Sequence, residues 1–458
     1  MAATLDLATL HGELQAQLAE SMQKYEVPGV AVGIYANGVE DYACHGVTSI
    51  DNPLEVNKET LYQIGSIGKT YTATVIMILV ERGLVDLNAP VRTYIPELRL
   101  QDESVAEHVT VLQLLNHTAG WVGDIMRDTG NGDDALARYV ADLATVDQVS
   151  PLGSIASYNN AALNVAGRVI EKVTGKTFEA AVTDLLLRPL GLTATTFSPV
   201  DAMIHRFVVG HEKRDGKLQV VGPWALPRNG NPAGGEIAPI TDLIAYGRFH
   251  LGDGSGKDGE QLLSKSSLDR MKEPTFAMGD GAVGISWMLQ DVDGVRLVSH
   301  GGSTTGQQAQ LILVPERDFA LAILTNAHAG IQLIDELGEW ILSSYLGIQP
   351  EDEEPLSLSP EELAAYAGSY DGAVWIATLN VEGDHLRMEI VFTEAGIAEV
   401  ESAGMDVPQW QPARVQIFPR DRFLILDGEY AGIKARFIRE GDAITALDLG
   451  RIAPRISP

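Results

Sequence analysis

The amino-acid sequence predicts an α/β (α+β) chain: an antiparallel sheet flanked by helices, with a further helical region, followed by an antiparallel β-barrel. Three observations carry this. The stretch VAVGIYANGVEDYACHG alternates around Asn37-Gly38, a dipeptide that favours a tight hairpin turn. Helical periodicity recurs at 109–116, 160–174 and 240–251, between strand-like runs. Finally, QPEDEEPLSLSP at 349–360 is Pro- and acid-rich with few apolar groups, which is linker composition, and the chain changes character after it.

In chain order, an amphipathic N-terminal helix precedes the Asn37-Gly38 hairpin. A short strand, Thr60 to Ile64, passes through Gly65 into a helix from about Ser66 to Arg82, whose Val75, Ile76, Leu79 and Val80 supply a buried face. The three helical patterns form a region beside this helix. The sheet resumes near GISWMLQDV, LVSHGG and QAQLILVPERDFALAILTN, with Pro315 to Asp318 turning a second hairpin, and GIQLIDELGEWILSSYLG closes it as a helix. Beyond the linker, alternating runs (Trp375 to Val381, Leu386 to Phe392, Arg414 to Phe418, Arg422 to Leu426, Ile433 to Ile438, Ala443 to Leu449) are separated by Gly-containing turns, the pattern of a barrel or sandwich. The expected division is 1–348, a linker at 349–360 and a β-rich module at 361–458.

The chemistry concentrates at Ser66-Ile67-Gly68-Lys69. Residues i and i+3 of a helix share a face, so the Lys69 amine can reach the Ser66 oxygen. A serine hydroxyl needs an adjacent base, and lysine is one only when burial or nearby positive charge lowers its pKa. A second Ser-x-x-Lys, Ser21 to Lys24, falls on the N-terminal helix and is expected to be a solvated face. Ser157-Tyr158-Asn159-Asn160 offers a phenol able to relay a proton and, at Asn160, an amide able to orient the lysine. Val298-Ser299-His300-Gly301-Gly302-Ser303 reads as a strand entering glycines. Gly302 permits close approach of a substrate, and the Ser303 N–H is placed to donate to an oxyanion.

Ser-x-x-Lys, Tyr-x-Asn and a basic residue followed by x-Gly, in that order, resemble the penicillin-recognising serine hydrolases: penicillin-binding proteins, class C β-lactamases and their esterase and D-aminopeptidase relatives. LVERGLVDLNAPVRTYIPEL, VTVLQLLNHTAGW, LLLRPLGLTATTF, PAGGEIAPITDLIAYGRF and LVPERDFALAILTNA extend the likeness over most of residues 20 to 345. The resemblance implies a β-lactamase-like sheet and helices, with Ser66 as nucleophile, Lys69 as its base, Tyr158 as proton relay and Asn160 as orienting amide. It also implies an oxyanion hole from the Ser66 and Ser303 N–H groups. His300 stands where penicillin-binding relatives carry lysine in Lys-Thr-Gly. AAYAGSYDG and the closing strands resemble the lipocalin-like domain attached to some members of the family.

The implied function is a serine hydrolase acting through an acyl-enzyme on small-molecule esters, amides or short peptides, with esterase or D-stereospecific peptidase or amidase activity favoured. A mostly neutral His300 in place of a fixed cation argues against a β-lactamase or penicillin-binding carboxypeptidase. The contrasting class is a non-catalytic ligand-binding receptor on the same fold. A net charge of −29 and a pI near 4.6 argue against nucleic acid or anionic membrane partners. Neither a leader nor a span is legible, so a cytoplasmic protein is expected, with homo-oligomerisation left open. No cofactor or metal is expected: His205 and His211 lack metal-site spacing, and no glycine run forms a phosphate loop. Cys44 reads as a small buried thiol and His117 as a structural histidine.

Overall fold

The computed structural model describes residues 7–350, 353–402, 404, 406–407, 410–428 and 431–457. Residues 1–6, where the reading of a leader would begin, and residues 351–352 of the expected linker therefore lie outside the described residues.

Among the described residues, eight antiparallel strands form the main sheet, in the order Val39–Gly46, Gly29–Ala36, Phe319–Thr325, Gln307–Val314, Val295–Thr304, Met288–Val292, Gly281–Val283 and Phe276–Met278. The first hairpin turns at Asn37 and Gly38, both with positive φ (50° and 88°), and pairs Ala36 with Val39. This is the backbone that an Asn-Gly turn is chosen for. Cys44 lies on the edge strand, half-buried rather than fully so, and burial pushes its thiol up to about 11.

Both faces of the sheet are covered, so its central strands carry little alternation: every residue of Phe319–Thr325 is buried. On one face the N-terminal helix Leu7–Tyr25 and the closing helix Gly330–Leu346 pack through Leu14, Leu18, Leu333, Leu337 and Ile341. On the other lie the helix Ile240–Leu251 and, behind it, the helix Gly68–Glu81. That last helix is buried on all sides from Gly68 to Leu79, more completely than a one-faced pattern implies, because the helix Asn160–Thr174 covers it from the far side. At roughly 25 cal/mol per Å² of apolar surface, such enclosure makes it one of the least movable elements of the fold.

The C-terminal strands close into a barrel from Gly368–Asp371 through Ile452–Ser457. The six runs named from sequence all appear as strands. The two that complete the ring, GSYD and IAPRIS, lack clean alternation. Leu363, Tyr370, Leu386, Phe423 and Phe437 fill the interior. The stretch before the barrel is not free throughout: the Leu356 N–H donates to Ile417 O at 2.8 Å, and Glu353 pairs with Arg420 at 3.1 Å.

Candidate active site

Ser66 sits in a single 3-10 turn, Gly65–Ile67, between the short strand Leu61–Gln63 and the helix Gly68–Glu81. Gly65 adopts φ 51°, a left-handed conformation that disfavours larger residues. The strand Val295–Thr304 runs against this turn. A Cβ on Gly302 would lie 1.9 Å from Ile64 O and 3.2 Å from Ser66 N, so only glycine allows the approach. A Cβ on Gly65 would come within 2.8 Å of Ser303 N, which places the Ser303 amide beside the Ser66 turn. Strand Met288–Val292 stops pairing at Ser299, leaving the His300–Ser303 edge open toward Ser66.

Lys69 is fully buried, and its Nζ lies 2.9 Å from Ser66 Oγ and 2.6 Å from Ala233 O. Burial, reinforced by the charge of Arg451 and opposed by Asp124 and Glu236, lowers its pKa to about 7. A substantial uncharged fraction is thus present at neutral pH, able to accept a hydroxyl proton. Tyr158 lies with its ring centroid 4.8 Å from Lys69 Nζ. Burial holds the phenol protonated well above its usual range, against contributions from Ser66 and Arg451. The Ser157–Asn160 loop is fixed from below: the Ser157 N–H donates to His117 O, the Asn159 N–H donates to His117 Nδ1 at 3.1 Å, and the Asn159 side chain caps the helix Asn160–Thr174. His117 is accordingly a buried, neutral support for the Tyr158 ring, 4.5 Å away between centroids.

The Asn160 amide, expected to orient the lysine, makes its side-chain hydrogen bond to Asp124. Its Nδ2 donates to Asp124 Oδ1 at 2.8 Å, while the lysine's hydrogen bonds go to Ser66 and Ala233. His300 is buried, and its Nδ1 donates to Gly301 O at 2.7 Å, which leaves Nε2 as an acceptor without a partner among the described residues. Burial and the neighbouring Lys69 depress its pKa to about 3, so it is neutral across the physiological range. The second Ser-x-x-Lys is not a solvated face: Ser21 is fully buried and donates to Glu336 Oε1 at 2.9 Å, with Lys24 paired to the same carboxylate.

Three site residues escaped the sequence. Asp124 and Arg451 form a two-point ion pair (2.6 and 2.8 Å), and Arg451 stands on the barrel, in the turn before its last strand. Its guanidinium lies 4.9 Å from the Tyr158 centroid, and the Tyr158 N–H donates to Gly450 O at 2.9 Å. Burial alone raises the Asp124 pKa, but the charge and hydrogen bonds of Arg451, helped by Asn160, bring it below the ordinary range. The third, Glu236, is a fully buried carboxyl two residues past Gly234.

A family model for Beta-lactamase matches residues 14–343, most of the chain. The chain belongs to the beta-lactamase family. As a member it is a serine hydrolase by kinship, related to enzymes acting on small molecules. It is 32% identical over 371 residues to penicillin-binding protein 4 of Amycolatopsis lactamdurans, covering 79% of this chain and 97% of that one. It is 28% identical to a beta-lactamase of Lysobacter lactamgenus, covering 69% and 86%. Among solved structures, SurE superposes with a TM-score of 0.72 at 24% identity over 98% of this chain and all of that one. An octameric penicillin-binding protein homologue from Pyrococcus abyssi gives 0.64 at 23% identity, covering 97% and 98%. These last two likenesses concern the fold and extend over the barrel. Among the described residues, no helix is long and apolar enough to cross a membrane.

Proposed function

We propose that this beta-lactamase family member is an acyl-transfer hydrolase of esters or amides, with esters and D-configured amides or short peptides preferred over β-lactams. The single observation that carries the reading is the buried Lys69 amine 2.9 Å from Ser66 Oγ with its pKa brought to about 7. In this reading Ser66 Oγ attacks the substrate carbonyl as its proton passes to Lys69 Nζ. The Ser66 and Ser303 N–H groups hold the oxyanion. The proton then travels from Lys69 by way of Tyr158 to the leaving group, and water releases the acid from the acyl-enzyme by the reverse path. Such an oxyanion hole contributes about 3–4 kcal/mol and a positioned base about 10²–10⁴-fold.

Preference for uncharged or amine-bearing substrates follows from His300. Its neutral Nε2 accepts a hydrogen bond and gives no attraction to a carboxylate. SurE has also been solved with D-Leu, and another structural neighbour is a D-alanine carboxypeptidase from Burkholderia cenocepacia, which supports testing D-configured substrates first. The expected division into a 1–348 catalytic unit and a 361–458 module is retained within this proposal, with the barrel as part of the site through Arg451.

The test is covalent labelling with a fluorophosphonate together with turnover of p-nitrophenyl esters, D- and L-amino-acid anilides and nitrocefin. Ser66→Ala is expected to abolish both, and Ser21→Ala to keep both while costing about 1 kcal/mol of stability through the lost bond to Glu336. Labelling that survives in Ser66→Ala defeats the nucleophile assignment, and absence of labelling in the wild type favours the receptor reading.

A further inference from the structure

Glu236 has no part in the reaction just described, yet it lies against the residues that perform it. Its side chain is fully buried, and neither carboxyl oxygen has a hydrogen-bond partner among the described residues. The backbone holds it firmly: the Ile64 N–H donates to Glu236 O at 3.0 Å, and the next residue, Ile237, pairs with Gln63. The carboxyl is pressed onto the start of the lysine's helix. A Cβ on Gly68 would fall 1.7 Å from Oε2 and 2.5 Å from Cδ, so glycine at 68 is what makes room for it.

The groups facing it are few. From the helix Gly68–Glu81 come Lys69 and Tyr71, both electrostatically coupled to Glu236. The Lys69 Nζ is already committed to Ser66 and Ala233, and the Tyr71 hydroxyl is buried without a partner among the described residues. From the helix Ile240–Leu251 comes Tyr246, whose hydroxyl is engaged with Thr70 and Thr74. The strand Leu61–Gln63 and Ile64 add no charge. Asp124 and Arg451 bear on Lys69, and Lys69 in turn on His300; none of the three acts on Glu236 directly. A carboxylate enclosed in this way, with only its own backbone and Lys69 favouring the charged form, is strongly disfavoured, whereas a carboxylic acid is not.

We infer that Glu236 is a protonated carboxylic acid at neutral pH and that it acts as a positioning residue by withholding the negative charge that would favour the ammonium form of Lys69, so that Lys69 stays able to accept the Ser66 proton. The inference rests on the acyl-transfer reading. A carboxylate here would stabilise the ammonium form of Lys69, and a neutral acid leaves burial and Arg451 to prevail. In the reactive form the amine and the carboxyl together hold one proton, and it resides on Glu236. During attack the Ser66 proton moves to Lys69 Nζ and later to the leaving group. Glu236 keeps its own proton throughout and exchanges none. Burial lifts its pKa to about 8, against the opposing pull of its own backbone and of Lys69, so deprotonation belongs to mildly alkaline solution. There the new carboxylate raises the Lys69 pKa, and the ammonium returns its proton to the leaving group less readily.

The experiment has two arms on the full-length protein. Infrared spectroscopy with ¹³C-glutamate labelling is expected to show a carboxylic-acid carbonyl band at pH 7 that vanishes between about pH 7 and 9 in the wild type and is missing in Glu236→Gln. No such band in the wild type overturns the proposal, and so does a band that persists in the variant; the wild-type measurement decides even where the variant fails to fold. In the second arm, kcat against pH on an ester is expected to fall on the alkaline side in the wild type. The Glu236→Gln profile should retain the same acid limb and extend its plateau to higher pH. An acid limb displaced downward by about one pH unit shows that Glu236 is an anionic counter-ion, and an unchanged alkaline fall shows that it is only packing; either result overturns the proposal. Failure of the acyl-transfer reading is separate, because it appears as absence of Ser66 labelling whatever the infrared band does.

Discussion

Arg451 and Tyr158 meet across two parts of the chain that are far apart in sequence: the guanidinium of a barrel turn lies 4.9 Å from the phenol ring centroid, and the backbone before it accepts the Tyr158 N–H. A permanent cation thus stands over Tyr158, whereas His300 on the neighbouring strand is neutral. Arg451 also acts on Lys69, whose pKa it lowers second only to burial.

Removing that charge sets the first prediction. In Arg451→Ala the lowering influence is lost and Asp124, now unpaired, raises the Lys69 pKa from about 7. Because the base must be unprotonated, the acid limb of kcat/KM is expected to move to higher pH by about one unit, a roughly fivefold loss at pH 7. Adding Asp124→Ala should move the limb part of the way back. Superimposable pH profiles for wild type and Arg451→Ala would show that the barrel cation has no hold on the base.

His300→Lys places a second ammonium beside Lys69. Two neighbouring cations disfavour one another, so the acid limb should move to lower pH, while substrates bearing a carboxylate gain relative to neutral ones. The wild type is expected to turn over a short-chain ester or a D-amino-acid amide orders of magnitude faster than nitrocefin, and the variant to narrow that gap. Parallel kcat/KM values on the two substrates, with melting curves to confirm folding, check both statements. A wild type that prefers nitrocefin makes the β-lactamase alternative the better one.

Cleavage between the two parts gives a third expectation. The acidic stretch at 349–360 is the natural place for limited proteolysis, but a cut there should not release the barrel. Arg451 is paired with Asp124, Arg127 with Glu399 at 2.8 Å, and the Ile452 N–H donates to Ser157 Oγ at 3.1 Å. We expect the nicked protein to elute as one species with its activity intact, and activity to fall at least tenfold when the fragments are separated in denaturant and the N-terminal one is refolded alone. Spontaneous separation with full activity in the N-terminal fragment contradicts this.

Acid should destabilise the fold early. His300 is held neutral down to about pH 3, and His117 and His250 are also pushed well below the ordinary value of 6.5, in each case by burial first. Between the folded and unfolded pKa values the unfolded chain binds protons that the native one refuses, so stability falls as the pH drops below about 6.5. The slope is about 1.4 kcal/mol per pH unit for each such histidine. Protonated Glu236 contributes one such slope in the opposite sense, so denaturant midpoints measured from pH 7 to 5 should decline by the balance of three histidines against one acid, and less so in a His250→Gln variant. A flat profile over that range would mean that these histidines are protonated in the native state.

Much of the fold and the site is legible in the sequence where the physics is local. Ser66 and Lys69 are one turn apart, Asn37-Gly38 demands its hairpin, and the Gly301-Gly302 strand announces a close approach. Sequence distance hides the rest. Asp124 and Arg451 are separated by 327 residues, and nothing around Arg451 distinguishes it from any other turn arginine. Glu236 is visible only as one acid in an apolar run, and its meaning depends on Gly68, whose missing side chain makes the space. Ser21 reads as solvated from its neighbours alone because the helix that buries it, Gly330–Leu346, comes from far along the chain. Asn160 is expected to face lysine, but Asp124, with no signature of its own, takes its hydrogen bond.

The Gly450-Arg451 turn also bears on how such an enzyme diversifies. The surroundings of Ser66 are nearly immutable, since glycines at 65, 68 and 302 admit no added carbon without collision or strain. The opposite wall is a hairpin tip, carried by a scaffold with its own interior. Exchanging Arg451 there would retune both the acidity of the Lys69 amine and the charge presented to an incoming molecule, while the Gly450 carbonyl and the Ile452 N–H go on holding the Ser157–Tyr158 loop through backbone groups that do not depend on the side chains. Selection for new substrates can act on an accessory module while the reaction itself stays fixed.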